Sequence, residues 1–196
     1  MRKTKINQYF CAEKTKIMEK LQVLDKTFAI SIPEAEIQKQ VSRVAAELTR
    51  DMEGKSPLFL PVLNGSFIFA ADLLRQINIP CEVSFIKLAS YQGTQSSGHI
   101  REVIGLNADI TGRHIVIVED IIDSGMTMAH MIETLQNHNP ASISVCSLLV
   151  KPDALKVQIP IHYRAMDIPN DFIVGYGLDY NGFGRNTKDI YTLVDE

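Results

Sequence analysis

Residues 115–128 read IVIVEDIIDSGMTM, and they set three carboxylates beside a turn suited to an anion. An apolar run, Ile115 to Val118, ends in Glu119 and Asp120. Ile121 and Ile122 follow, then Asp123, Ser124, Gly125, Met126 and Thr127. In open α/β sheets, ligands sit at the carboxyl ends of the strands. A helix expected to begin near Thr127 turns its free N–H groups and positive dipole end toward the same place. Asp123 to Thr127 can therefore wrap a phosphate with backbone N–H groups and two hydroxyls. The stretch lacks the GxxxxGK[ST] of a triphosphate loop and the GxGxxG of a dinucleotide site. A monophosphate carried on a sugar suits it better. The turn takes the phosphate, while Glu119 and Asp120 accept hydrogen bonds from ribose hydroxyls or hold magnesium through water.

The elements that must position this stretch are legible on both sides of it. TFAISI (27–32) reads as a strand. Ser31 and Glu34 form a capping-box pattern with Pro33 in the first turn, and Ile37, Val41, Val44, Ala45 and Leu48 then recur at helical spacing over about 33–52. PLFLPVL (57–63) is an apolar strand leading into Asn64-Gly65-Ser66 and a helix carrying Phe67, Ala70, Ala71 and Leu74. CEVSFIKLAS (81–90) is a third strand and YQGTQSSGHI (91–100) a polar loop. Ile115–Val118 is a fourth strand, Met128, Met131, Ile132 and Leu135 mark the following helix, and SISVCSLLV (142–150) is a fifth strand. This alternation predicts an α/β fold with a mainly parallel sheet flanked by helices. Beyond Pro152 the rhythm breaks into a segment rich in Pro, Gly and Asn, expected to form a smaller lobe over one edge of the sheet. Residues 1 to about 25 are polar and aperiodic and read as a loose N-terminal arm.

Composition narrows the partners. The chain has 196 residues, 45% hydrophobic and 22% charged, which suits one domain with a full core. A net charge of −3 gives no electrostatic reason to expect nucleic acid or an anionic membrane. No apolar run approaches the roughly 20 residues of a membrane span. The basic N-terminus has no apolar region of the signal-peptide kind. Cys11, Cys81 and Cys146 are far apart with no CxxC pair, as reduced thiols of a cytoplasmic protein would be. The five histidines show no metal spacing.

The pattern of apolar strand, ED, two apolar residues and DSGxT resembles the phosphoribosyl-pyrophosphate (PRPP) motif of the type I phosphoribosyltransferases, and VEDIIDSG is similar to the hypoxanthine–guanine branch. LNGSFIFAADL, SYQGTQSSG, SLLVKP and DFIVGYGLDYNGFGRN follow in the family's order and spacing, so the resemblance runs from about Thr27 to Leu193. It implies the type I phosphoribosyltransferase fold in a single domain of residues 1–196. The core would span about 27–151, and a base-binding hood would be made of about 152–196 with the N-terminal segment. The implied reaction joins a 6-oxopurine to PRPP with magnesium, giving a nucleoside monophosphate and pyrophosphate. Homodimers or homotetramers are also implied, and the FIFAADLL helix is compatible with an interface or with core.

Carried over by position, the resemblance makes Asp123 the general base for purine N7. Glu119 and Asp120 become the ribose- and magnesium-binding pair, and Ser124, Gly125, Met126 and Thr127, with Asp123, the 5′-phosphate turn, Met126 serving through its backbone N–H; Ile121 and Ile122 complete the PRPP-binding stretch. Lys151 would donate to the purine 6-oxo group, Phe172 would stack on the base, Ile173 would offer it backbone groups, and Asp179 would hold magnesium beside it. Arg185 would contact pyrophosphate. Leu63, Asn64 and Gly65 would hold pyrophosphate through a backbone turn that in the family often contains a cis peptide. Many members have lysine where this chain has Asn64, so one positive charge is missing there. Ser90 and Tyr91 match the start of a loop that closes over the reacting centre. Some proteins of this fold are regulators that keep the pocket as a sensor and bind RNA or DNA elsewhere. That reading needs a basic face or a second domain. This chain is acidic and keeps matches for base, purine donor and stacking ring. An enzyme preferring another base, such as xanthine, is the nearer alternative.

Overall fold

The computed structural model describes residues 20–90, 100–104 and 109–194. In chain order these form β1 (Lys20–Val23), β2 (Lys26–Ile32), α1 (Glu34–Asp51), β3 (Leu58–Leu63), α2 (Phe67–Leu74), β4 (Glu82–Val83), β5 (Ile86–Ser90), β6 (Ile100–Ile104), β7 (His114–Ile122), α3 (Met126–Gln136), β8 (Ser142–Val150), β9 (Tyr163–Asp167), β10 (Ile173–Val174) and β11 (Ile190–Leu193). The main sheet has the order β6-β5-β3-β7-β8-β9, with β4 also paired to β3. Its neighbours run parallel except for β6, which is antiparallel on the edge. A second, antiparallel sheet, β1-β2-β11-β10, forms a small hood.

The central strands read as continuous apolar runs because both their faces are covered. Along β7, Val116 and Val118 pack with Ile37, Val41, Val44 and Leu48 of α1. Ile115 and Ile117 pack on the opposite side with Met128, Met131 and Leu135 of α3. The helical spacing of α1 thus delivers one fully buried stripe, with Ile37, Val41, Val44 and Leu48 all at 0% exposure. Among the described residues, no helix is long and apolar enough to cross a membrane.

Five expectations need correction. The capping box does not form: Pro33 is the N-cap of α1 and no side chain of the Ser31 pattern caps it. Ser31 is still in a strand paired with β11, and its hydroxyl donates to the Ile190 carbonyl at 3.2 Å. The free N–H of Glu34 is instead accepted by Asp189 Oδ1 at 2.7 Å, from a residue 155 positions away. Residues 20–25 are not loose, because β1 folds back on β2 as a hairpin. Strand 27–32 belongs to the hood and not to the parallel sheet. The strand expected over 81–90 is broken between Val83 and Ile86. Beyond Pro152 the sheet continues after all, since β9 pairs parallel with β8. The loop 91–99, with Tyr91, lies outside the described residues.

Candidate active site

The strands β3, β5, β7 and β8 run parallel, so their carboxyl ends share one edge of the sheet. At that edge β7 ends in Glu119–Ile122, β3 ends in Leu63, β5 ends in Ser90, and Lys151 directly follows β8. A cavity of about 190 Å³ opens there, lined by residues 119–125 with Thr127 and Met128.

The anion turn is shaped by Gly125. It adopts φ +79°, the left-handed conformation that favours glycine, and serves as the N-cap of α3. A Cβ at this position would also meet Val157 and Leu155 at 3.2 and 3.3 Å. The helix begins at Met126, one residue before the expected start, so the N–H groups of its first turn face the cavity mouth. Ser124 Oγ lies 3.5 Å from the Met126 N–H. Met126 itself is 57% exposed, which leaves its backbone as the group it can offer.

Asp120 is buried and its Oδ1 accepts the Ile121 N–H at 2.9 Å. Burial raises its pKa, and the charge of Arg185 is among the opposing influences. Glu119 is pushed well above the usual carboxylate range, by burial first and then by the negative charge of Asp120. This is charge held in wait: two carboxylates that are costly to ionise alone are arranged where cations or hydroxyl donors would relieve them. Asp123, whose side chain is 56% exposed, pairs with Lys151 Nζ at 3.2 Å, and the lysine side chain is 9% exposed.

The Leu63–Asn64 peptide is cis, as the resemblance suggested. Gly65 lies directly on Asp120: a Cβ there would sit 1.6 Å from Asp120 Oδ2. Gly177 of the hood approaches from the other side, and a Cβ on it would sit 2.0 Å from the Gly65 carbonyl oxygen. Arg185 Nη1 donates to the Gly177 carbonyl at 2.6 Å, and Nη2 pairs with Asp179 Oδ1 at 2.5 Å. Asp179 Oδ2 accepts the Gly182 N–H at 2.6 Å. Asp179 is therefore engaged by Arg185 and its own turn. Among the described residues, no three acidic, His or Cys side chains form a metal cage. Glu119 and Asp120 still supply hard oxygen donors at the cavity. That donor set suits magnesium carried mostly by substrate oxygens and water.

In the hood, Phe172 is 45% exposed. Tyr180 meets its ring edge-on at 5.8 Å and Phe28 lies 6.1 Å away, so the ring is braced while much of it stays open. Leu193 N–H donates to the Phe172 carbonyl at 2.9 Å. Alternation in an antiparallel pair then turns the N–H and C=O of Ile173, opposite Thr192, away from β11 and off the sheet edge. The close approach of Gly177 was not foreseen, although the two glycines of GYG mark a backbone approach of this kind.

A family model described as a phosphoribosyl transferase domain matches residues 33–181. The hypoxanthine-guanine phosphoribosyltransferase of Mycobacterium bovis is 42% identical over 160 residues, which cover 81% of this chain and 79% of that protein. The hypoxanthine phosphoribosyltransferase of Haemophilus influenzae is 37% identical over 171 residues, covering 85% and 96% respectively. A solved hypoxanthine-guanine phosphoribosyltransferase from Bacillus anthracis aligns with a TM-score of 0.80 at 37% identity, over 84% of this chain and 98% of that one. Parallel sheet, hood and anion turn thus have one common owner, and the chain belongs to the phosphoribosyl transferase family. Within the family it falls in the hypoxanthine–guanine branch, whose members are glycosyltransferase enzymes of purine salvage.

Proposed function

We propose that this enzyme transfers the 5-phosphoribosyl group of PRPP to N9 of hypoxanthine or guanine, giving IMP or GMP and pyrophosphate. The observation that carries this reading is the Asp123–Lys151 pair at the mouth of the phosphate cavity. A carboxylate and an ammonium side by side match the two polar edges of a 6-oxopurine. Asp123 accepts the N7 proton while Lys151 donates to the 6-oxo oxygen. An adenine amino group there would set donor against donor at the mostly buried lysine, a form of discrimination worth up to about 10⁴–10⁵.

The C1′–O bond to pyrophosphate breaks as the N9–C1′ bond forms, and positive charge builds on the ribose as in glycoside cleavage. Glu119 and Asp120 bind the ribose hydroxyls and oppose that charge. The turn from Asp123 to Thr127 holds the 5′-phosphate. Arg185 and the backbone of Leu63–Gly65 hold pyrophosphate, Asn64 adding no charge, with Ser90 and Tyr91 opening the covering loop. Phe172 stacks on the base and Ile173 offers it backbone groups. Magnesium would be held by Glu119, Asp120 and Asp179 together with substrate oxygens, and would neutralise charge on pyrophosphate. The single transferase domain would work in the cytoplasm as a homodimer or homotetramer. Asp123→Asn is expected to lower kcat by roughly 10²–10⁴ while PRPP still binds. An unchanged kcat would remove Asp123 from the role of base.

A further inference from the structure

Gln38 of α1, Asp72 of α2 and Tyr176 of the hood make a polar cluster outside the reacting centre. Tyr176 is 2% exposed and sits between two glycines, with φ of +102°, +48° and +104° along residues 175–177. A bulky residue at positive φ is uncommon and persists where surrounding contacts hold it. Here the Tyr176 N–H donates to the Thr187 carbonyl at 3.0 Å, and the side chain is fixed to a second element by its hydroxyl, which donates to Asp72 Oδ2 at 2.6 Å. Gln38 Nε2 donates to the same oxygen at 2.6 Å, and Arg75 pairs with the other oxygen of Asp72.

The strap pinned in this way is the one that touches the pyrophosphate side of the site. One residue on, the Gly177 carbonyl receives Arg185 Nη1 at 2.6 Å, and the Gly177 N–H donates back to the Arg185 carbonyl at 2.9 Å. The α-carbon of Gly177 faces the Gly65 carbonyl so closely that a Cβ would come within 2.0 Å of it. Asp72 is carried on the helix that begins just after the Leu63–Gly65 turn. A hydroxyl–carboxylate contact therefore ties together both pieces of backbone that frame Arg185.

We propose that Tyr176 and Asp72 are a positioning pair for the pyrophosphate half of PRPP: their hydrogen bond sets the Gly175–Gly177 strap, and through it Arg185 and Gly65. This rests on the reading of the site as a PRPP site. Neither residue touches substrate, so the signature is selective. Small misplacements of binding groups are costly, up to roughly 10²-fold. The cost here should fall on PRPP and spare the purine.

The test is steady-state kinetics on the full chain, varying PRPP and hypoxanthine separately. Tyr176→Phe removes only the hydroxyl and is expected to raise the PRPP KM about tenfold, with the hypoxanthine KM held within about twofold. Asp72→Ala also frees Gln38 and Arg75, so it should raise the PRPP KM at least as much, and the double variant should be no worse than Asp72→Ala alone, because the hydroxyl–carboxylate contact is already lost there. Asp72→Asn keeps an oxygen acceptor for the hydroxyl and should restore a near-normal PRPP KM. Should Tyr176→Phe fail to fold, Asp72→Ala carries the test, since Asp72 pairs with the exposed Arg75 at the surface. A fall in melting temperature with both KM values unmoved, or an equal rise in both, would overturn the assignment. A wild-type protein with no PRPP-dependent turnover would instead overturn the functional reading and this inference with it.

Discussion

Replacing Gly65 by alanine should damage stability and catalysis together, and the structure says by how much. The added Cβ would lie 1.6 Å from Asp120 Oδ2 and 2.5 Å from its Cγ. Ordinary carbon contacts need about 3.5 Å, so the carboxylate must retreat by about 2 Å. Asp120 is only 9% exposed, so the carboxylate can retreat only into the site cavity it lines. The retreat breaks the 2.9 Å hydrogen bond from the Ile121 N–H to Oδ1. Overpacking costs about 1–3 kcal/mol and a hydrogen bond to a charged group about 1.5–3, so a loss of about 3–5 kcal/mol is expected. For a chain of this size that is a fall of about 6–20 °C in Tm. Displacing the carboxylate proposed to bind the ribose should also lower kcat/KM by about 10². Thermal melts followed by circular dichroism and steady-state kinetics measure the two effects. Gly112→Ala is the control: Gly112 has φ +68° but nothing within 4 Å of the new Cβ. It should lose about 1–2 kcal/mol of stability and no activity. A Gly65→Ala protein melting within about 2 °C of wild type, with unchanged kcat/KM, would refute the close approach of Gly65 to Asp120.

Two further outcomes follow from the site. Phe172→Ala should raise the KM for the purine about 5- to 150-fold, the range that loss of one base–aromatic stack of about 1–3 kcal/mol implies, with the PRPP KM unmoved; an unchanged purine KM would exclude stacking on that ring. Burial raises the Glu119 pKa, so between the ordinary carboxylate range and that raised value the folded protein holds more protons than the unfolded chain. Stability then falls as pH rises through this window. Without added divalent cation, Glu119→Gln should melt above wild type near pH 8, and the difference should shrink as pH falls through about 4, where the unfolded carboxyl also takes up its proton. A variant less stable than wild type at pH 8 would contradict this sign.

The parts of the molecule governed by local pattern were legible before the structure. The buried stripe of α1 and the doubly covered strands β3, β7 and β8 follow from apolar period and run length. The anion turn follows from strand, carboxylates and glycine in register. What escaped reading depends on partners distant in sequence. Ser31 and Glu34 hold a local capping signature, yet pairing of β2 with β11 claims Ser31, and Asp189 supplies the cap. No composition rule marks Tyr163–Asp167 as a parallel strand, because its place is decided by the exposed edge of β8. The pairing of Asp179 with Arg185 likewise depends on a turn closed through Gly182.

The most direct test of the proposed activity is to supply PRPP and magnesium with hypoxanthine, guanine, xanthine or adenine in turn and follow nucleotide formation. Product is expected with hypoxanthine or guanine and none with adenine. Turnover of adenine would contradict the role given to Lys151, and no turnover with any base would contradict the central claim.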